Sequence, residues 1–265
     1  MTIGGVDGLI NLDKAAGMSS ARAVAQVKRL LPRKSKIGHA GTLDPFATGV
    51  LVLLVGKATK QCERLMDQPK QYEATVKFGA TTATDDPESP EEPWVRRSTE
   101  VVAHRTGVAS TGADAEAAES GRASFPAVAP PPPPRREAID AILPRFIGSI
   151  QQRPPAFSAL KVGGQRAYKL ARGGELVALE PRTVRVYGIE VLDYAWPLLR
   201  LRIDCGRGTY IRSIARDLGE ALDVGGHLTQ LRRTRVGELW VGDAITLEQL
   251  AEEGVETHLH AIDAG

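Results

Sequence analysis

The sequence predicts a mixed α+β fold, because runs typical of strands and runs typical of helices follow one another in irregular order. The continuous apolar run VLVLLVG, residues 50–56, is typical of a buried strand, and YEATVKF, residues 72–78, alternates as a strand does. In ARAVAQVKRLL, residues 21–31, apolar positions recur at helical spacing. These runs indicate the fold class without indicating the order of the strands.

The first helix has clear boundaries, since Ser19 and Ser20 can cap its start and Pro32 stops it. Residues 38–48 are rich in Gly, Thr and Pro and predict an ordered loop that leads into the buried strand. Later in the chain, the patterns predict helices at residues 59–66, 137–146 and 209–222 and strands at residues 183–194 and 199–205.

Length and composition favour a compact enzyme, because 265 residues with 42% hydrophobic content can form one large core or two modest ones. The sequence has no apolar run of about 18 residues and no leader-like start, so we expect a cytoplasmic protein. Cys62 and Cys205 lie far apart and lack the spacing of a disulfide framework or a zinc site. We therefore expect two buried, inert thiols and no metal.

The distribution of charge is more informative than the net charge of +2. Residues 19–37 and 153–174 contain no acid but many cations, and a third basic cluster lies at residues 232–235. One such cluster would be an ordinary solvated face, whereas three favour contacts with phosphates. The candidate phosphate contacts are Arg22, Lys28, Arg29, Lys161, Arg232 and Arg233.

Residues 85–136 differ in composition from the rest of the chain. They are rich in Ala, Pro, Glu and Ser and include five consecutive prolines at residues 130–134. Proline at that density favours polyproline II and cannot form a packed core. We therefore predict a long, partly disordered insertion that is a poor place to look for chemistry.

The segment GHAGTLDPFATG, residues 38–49, holds one acid, Asp44, among small residues. Pro45 biases Asp44 away from the helical conformation, and a loop of this kind can present a carboxylate to a cleft. An Asp-Pro pair alone is more simply interpreted as the start of a turn.

The whole twelve-residue string resembles the signature of the TruB family of pseudouridine synthases. The likeness continues, in the family's order, through NLDKAAGMSS, KQYEA, RPPAFSALKVGGQRAYKLARGG, GTYIRSIARDLGEAL and GGHLTQLRRTRVG. The resemblance implies a pseudouridine synthase fold, with a mixed, largely antiparallel sheet, flanking helices and a central RNA-binding cleft. It also implies that Asp44 is the catalytic aspartate.

The resemblance assigns further residues to the site. A buried carboxylate has a raised pKa, so a cation is needed to keep it ionised, and Arg212 matches the arginine that the family pairs with the aspartate. The residues that match substrate-binding positions of the family are His39, Tyr72, Tyr210, Leu231 and Lys14. Without the resemblance, Tyr72 would be interpreted as a core residue, and Tyr210 and Leu231 could equally be core residues or residues of a pocket.

The implied reaction isomerises uridine 55 in the T-loop of tRNA after the base is flipped out of the RNA. It breaks the bond from C1′ to N1 and rejoins the ring through C5, so we expect no cofactor. Whether the carboxylate attacks the sugar, attacks the ring or takes a proton is left open. Two alternatives are a catalytic subunit guided by a separate RNA, as in dyskerin-like relatives, and an RNA chaperone.

The expected organisation is a catalytic domain formed by residues 1–84 and 137–250, interrupted by the insertion at 85–136. Residues 251–265 are expected to form a tail, with no PUA-type module after the catalytic domain. We expect a monomer that binds the T-arm of tRNA without an obligate protein partner and without a membrane.

Overall fold

The computed structural model describes residues 6–95, 131–158, 161–162, 165–166 and 179–261. The strands are β1 (Gly8–Lys14), β2 (Ile37–His39), β3 (Thr48–Val55), β4 (Lys70–Phe78), β5 (Ala80–Thr82), β6 (Glu91–Pro93), β7 (Gly148–Gln152), β8 (Lys161–Val162), β9 (Gln165–Arg166), β10 (Arg182–Ala195), β11 (Leu198–Cys205), β12 (Gly226–Val236) and β13 (Leu239–Trp240). The α-helices are α1 (Ser20–Leu30), α2 (Cys62–Asp67), α3 (Arg136–Ile142), α4 (Ile211–Ala221) and α5 (Leu247–Glu253). Short 3₁₀ helices span Gly56–Gln61, Leu143–Phe146, Val241–Asp243 and Val255–His258.

The main sheet has nine strands, with the order β1-β3-β12-β4-β11-β10-β7 and with β2 and β13 paired to β3 and β12. Its pairs are antiparallel except for the parallel contact between β12 and β3. A mixed, largely antiparallel sheet with surrounding helices confirms the predicted α+β class.

The buried strand predicted from VLVLLVG is β3, in which every residue after Thr48 is buried. It lies between β1 and β12, so the loop that precedes it ends at a fixed position in the core. The first helix begins as predicted, because the Ser19 hydroxyl accepts a hydrogen bond from the backbone N–H of Arg22. Helix α1 buries Ala23 and Val27 and leaves its basic side chains in solvent.

Helix α4 covers one face of the sheet. Its apolar residues Ile211, Ile214 and Leu218 belong to the same buried cluster as Tyr72 of β4 and Leu231 of β12. Burial of side chains of this size stabilises the fold by about 1.5–3 kcal/mol each. Arg212, next to Ile211 in the first turn, is thereby fixed at the edge of this cluster.

Several elements differ in detail from the sequence predictions. The helix predicted at residues 59–66 is a 3₁₀ helix followed by α2, and the one predicted at residues 137–146 is α3 followed by a 3₁₀ turn. His39 ends β2 and so lies outside the predicted loop. Cys205 is buried as expected, whereas Cys62 is only half-buried because it starts α2 at the surface.

Part of the predicted insertion is described. Residues 91–93 form β6, which pairs with β5, and residues 96–130 lie outside the described part of the chain. Among the described residues, no helix combines the length and apolar character that crossing a membrane requires.

Candidate active site

The loop that carries Asp44 is held through its backbone. Ser20, the first residue of α1, accepts a hydrogen bond from the Leu43 N–H at 2.9 Å and donates one to the Leu43 carbonyl at 3.0 Å. The Pro45 carbonyl accepts from the backbone N–H of Gly17 and from Lys14 Nζ. The residues on both sides of Asp44 are therefore fixed, and its carboxylate remains 31% exposed.

Arg233 also supports the loop that carries Asp44. Its side chain is 1% exposed, and its guanidinium donates to the carbonyls of Val50 at 2.7 Å and Gly41 at 3.0 Å. The expectation that Arg233 is a surface contact for phosphate is therefore wrong, because its donors are directed to buried carbonyls. The nearby Gly49 has φ of +99°, and a Cβ there would lie 2.2 Å from the Arg233 carbonyl oxygen.

The structure brings Asp44 and Arg212 into contact. Arg212 Nη2 donates to Asp44 Oδ1 at 3.1 Å, and its Nε lies 3.0 Å from Asp44 Oδ2. Arg212 is only 4% exposed. Its other donors reach the carbonyls of Thr84 and Phe157 and the carboxylate of Asp86, whose Oδ2 lies 3.1 Å from Nη1. A single buried guanidinium therefore bridges two carboxylates.

Asp86 is a site residue that the sequence analysis missed, because it fell within the predicted insertion. Its side chain is 2% exposed, and its Oδ1 accepts hydrogen bonds from the Thr84 hydroxyl and the Glu88 N–H. The available signal was the turn-forming string Thr84-Asp85-Asp86-Pro87 directly after β5. Asp85 instead pairs with Arg216, at 2.9 Å.

Burial and neighbouring charges shift the pKa of Asp44 in opposite directions. Burial raises the pKa of its carboxyl above 3.8 and outweighs the Arg212 guanidinium, which lowers it. The Asp86 carboxylate raises that pKa further, and Lys14 lowers it. Asp44 therefore combines a raised pKa with a cationic partner that favours its ionised form.

Two cavities meet at this ion pair. The first, of about 300 Å³, is lined by Asp44, Arg212, Tyr72, Tyr210 and Leu231 among others. The second, of about 580 Å³, is also lined by Asp44 and Arg212, together with His39, Asp86 and Ser158. The predicted site residues are thus divided, with His39 in the second cavity and not beside the two tyrosines.

Tyr72 and Tyr210 line the first cavity from different elements. Tyr72 is buried on β4, and burial raises the pKa of its hydroxyl. Tyr210 precedes α4, and the Gln152 side chain binds its backbone twice, accepting from its N–H at 2.8 Å and donating to its carbonyl at 3.0 Å. Leu231 of β12 pairs with Ala74 and completes the wall.

Burial determines the surroundings of two further predicted substrate-binding residues, Lys14 and His39. The Lys14 side chain is fully buried, and its ammonium donates to the carbonyls of Ala15, Met18 and Pro45, so the expected contact with substrate is corrected to support of the loop. Burial lowers the pKa of Lys14 to about 8. Burial and the nearby Arg233 lower the pKa of His39, which favours the neutral imidazole.

The remaining candidate phosphate contacts lie in different surroundings. Arg22, Lys28 and Arg29 are exposed on α1 and form no ion pair with a described residue. Arg232 is partly exposed and is bound by both oxygens of Asp13, at 2.7 and 3.1 Å. Lys161 begins β8, and its side chain lies outside the described part of the structure.

The fold and the site together define an α+β enzyme with a carboxylate and an arginine in the wall of an aromatic cavity. Among the described residues, no group of His, Cys, Asp and Glu could hold a metal ion. Residues 28–107 and 101–211 match the family described as TruB family pseudouridylate synthase (N terminal domain). Residues 212–262 match the one described as tRNA pseudouridylate synthase B C-terminal domain.

The chain therefore belongs to the TruB family of pseudouridylate synthases, which confirms the predicted family and its enzymatic class. The tRNA pseudouridine synthase B of Cupriavidus metallidurans is 40% identical over 264 residues, covering 98% of this chain and 73% of that protein.

Two solved structures are also similar. One, described as a Cbf5-Nop10-Gar1 complex, is 29% identical with a TM-score of 0.63 and covers 92% of this chain. The other, described as an H/ACA RNP bound to a substrate RNA containing 2′-deoxyuridine, is 27% identical with a TM-score of 0.59 and covers 92% of this chain. The matched part is 54% and 52% of the chains in those structures, so this chain spans about half their length.

Proposed function

We propose that this enzyme converts uridine 55 in the T-loop of tRNA to pseudouridine. The observation that carries the proposal is the contact between Asp44 and Arg212 in the wall of the cavity that Tyr72 and Leu231 line. The names of the relatives support tRNA as the substrate, since the protein that is 40% identical is a tRNA pseudouridine synthase B.

The target base lies within a folded RNA loop, so the enzyme flips it out before the chemistry. In this proposal the uracil enters the first cavity and stacks on Tyr72, with Leu231 and Tyr210 closing the space around it. His39, which lines the other cavity on the far side of Asp44, contacts the RNA next to the flipped nucleotide.

The proposed reaction requires Asp44 to be ionised when the base arrives. Arg212 favours that form through two close contacts with the carboxylate. The carboxylate then attacks the ribose, attacks the ring or takes a proton, and the proposal leaves these three roles open. In each case the C1′–N1 bond breaks, a C1′–C5 bond forms, C5 loses its proton and N1 gains one.

The exposed cations of α1 give the RNA a place to bind. Arg22, Lys28 and Arg29 are free of described carboxylates and lie on α1, whose first turn begins at Ser19 and Ser20 in the lining of the second cavity. Phosphates that contact α1 would therefore lie close to the site. We expect the enzyme to act in the cytoplasm as a monomer without an obligate protein partner.

The decisive experiment measures tritium release from a tRNA transcript labelled with [5-³H]uridine, with the parent protein and its Asp44→Asn variant. The C5 hydrogen leaves only when the C1′–C5 bond forms, so the parent should release tritium and the variant should not. A transcript with cytidine in place of uridine 55 should release none above background. Activity that appears only after a guide RNA or partner proteins are added would favour the guided-subunit alternative.

A further inference from the structure

The first cavity contains more positive charge than Asp44 can balance. Four cations line it, and two of them are neutralised: Arg212 faces Asp44 and Asp86, and Arg207 faces Glu63 and Asp67 at 2.7 and 2.9 Å. The other two are Lys70 and Arg233, and neither forms an ion pair with a carboxylate in the described part of the chain. The cavity is therefore suited to a ligand or intermediate that carries negative charge.

Lys70 is the one of these two cations that is not used to hold the Asp44 loop. It is the first residue of β4, so its side chain lies on the same face as that of Tyr72 two residues later. It is 6% exposed, and its ammonium donates to the carbonyls of Met66 and Gln68 at the end of α2. An ammonium has three N–H donors, so one is left for a ligand in the cavity.

The surroundings of Lys70 disfavour the charged form of its side chain. Burial, Arg233 and Arg207 lower the pKa of its ammonium to about 8, while Asp67 and Cys205 act in the opposite direction. Lys70 is therefore largely protonated at neutral pH but lacks a close anionic partner. An anion in the cavity would supply that partner and favour the charged form of Lys70.

We propose that Lys70 is a further catalytic residue, whose ammonium binds the uracil ring and stabilises the negative charge that the ring carries during the reaction. The inference depends on the proposed pseudouridine synthesis. When the C1′–N1 bond breaks, its electron pair goes to N1 and spreads to the carbonyl oxygens of the ring. The ring then bonds to C1′ through C5, C5 loses its proton and N1 gains one, while Lys70 is unchanged. Donors aimed at developing charge in a dry site are among the strongest contributors to catalysis.

The test compares Lys70→Met and Lys70→Arg with the parent in single-turnover reactions. The tRNA transcripts carry either uridine or 5-fluorouridine at the target position, and nuclease digestion with chromatography measures loss of the starting nucleoside. Fluorine stabilises the uracil anion, so bond breaking in the fluorinated substrate depends less on a cation. Lys77→Met is the matched control, because Lys77 lies on the same strand outside the cavity and pairs with Glu91.

We expect Lys70→Met to slow the reaction of uridine about 100-fold or more, as removal of one charge-stabilising donor does elsewhere. The loss on 5-fluorouridine should be at least about 10-fold smaller, with tRNA affinity unchanged. The parent should lose activity as the pH rises above about 8, where Lys70 loses its proton, and Lys70→Arg should retain activity there. Lys77→Met should match the parent on both substrates.

Equal losses on the two substrates would overturn the inference, since they would show that Lys70 only holds the end of α2. The inference would also be overturned if Lys70→Met melted at a lower temperature than the parent but kept full activity below that temperature. If the parent itself leaves both transcripts unchanged, the proposed function fails and this inference fails with it.

Discussion

Arg212 Nη1 lies 3.1 Å from Asp86 Oδ2, so the arginine that contacts Asp44 is also anchored on its other side. The anchor joins α4 to the connection between β5 and β6, two parts of the chain that are distant in sequence. Because Asp86 is itself bound by Thr84 and by the Glu88 N–H, the guanidinium cannot turn away from Asp44 without losing a buried ion pair.

Replacement of Asp86 by Asn should therefore reduce kcat. The variant keeps the shape of the side chain but leaves Arg212 with a weaker anchor, and a loss of about 10-fold to 100-fold corresponds to roughly 1.4–2.8 kcal/mol. Single-turnover tritium release measures the effect. Asp85→Asn is the matched control, since Asp85 pairs with Arg216 and lines neither cavity that Asp44 borders. Equal losses in both variants would show that the segment acts only through folding.

Asp44→Asn should abolish activity without weakening the fold. Burial raises the pKa of Asp44 above 3.8, so the folded state binds the proton more tightly than the unfolded state does. The contribution of Asp44 to stability therefore falls as the pH rises through that window and stays low above it. Removing the charge should leave the free energy of unfolding at pH 7 within about 1 kcal/mol of the parent. A urea titration checks this, and a much larger loss would contradict it.

The same raised pKa predicts the acidic side of the pH profile. Asp44 must be ionised to act, so the rate should fall as the pH decreases through the pKa of Asp44, which lies above 3.8. The fall should begin at a pH higher than an exposed aspartate would give. A profile of single-turnover rate against pH, with circular dichroism at each point to confirm folding, measures it.

Ser20→Ala and Ser19→Ala should separate loop positioning from helix capping. Ser20 holds both backbone groups of Leu43, whereas Ser19 caps α1 through the Arg22 N–H. Each substitution should cost about 1 kcal/mol of stability. Only Ser20→Ala should also lower kcat, because only Ser20 fixes the residue next to Asp44. Equal kcat values in the two variants would argue against this role for Ser20.

Gly49→Ala should be strongly destabilising. The residue has φ of +99°, and the added Cβ would meet the backbone of Arg233 at 2.2 Å. Strain and crowding of this kind together cost about 3 kcal/mol. Gly38→Ala is the control, because it has no neighbour within 4 Å of the added Cβ. The melting temperatures of the two variants check the prediction, which fails if Gly49→Ala melts with the parent.

Arg29→Ala should weaken RNA binding through loss of one phosphate contact. Arg29 is exposed on α1 and has no ion pair among the described residues. The logarithm of the affinity plotted against the logarithm of salt should lose about one unit of slope. Arg136→Ala is the control, since Arg136 is occupied by Asp140 on α3. Identical slopes for both variants would show that Arg29 on α1 does not contact a phosphate of the RNA.

The sequence predicted much of the fold and the centre of the site. Local patterns identified three elements: helical spacing predicted α1, a continuous apolar run predicted β3, and alternation predicted β4. The resemblance predicted that Arg212 would lie beside Asp44, and the two side chains are in contact. Their roles in the reaction stay a prediction.

The remaining features depend on tertiary structure that local patterns do not contain. Arg232 and Arg233 are adjacent in sequence, yet one meets Asp13 at the surface and the other binds buried carbonyls, because neighbours on β12 point to opposite faces. Lys14 is fully buried because the carbonyls of Ala15 and Met18 and, from a distant loop, the carbonyl of Pro45 meet at its ammonium. The partnership of Asp86 with Arg212 required the two distant segments to be brought together.

The pairing of β12 with β4 has a consequence for any attempt to redesign this protein. Leu231 lies opposite Ala74 and Arg233 opposite Tyr72, so one strand supplies both a wall of the cavity and the support beneath the Asp44 loop. The pairing is continuous from Gln230 to Arg233 and shifts register on both sides of that run, so a residue inserted between Leu231 and Arg233 would turn their side chains to opposite faces. Natural or engineered length changes should therefore accumulate in the connections at the ends of the sheet and be absent from residues 230–233 of β12, where one shift would separate the cavity wall from the loop support.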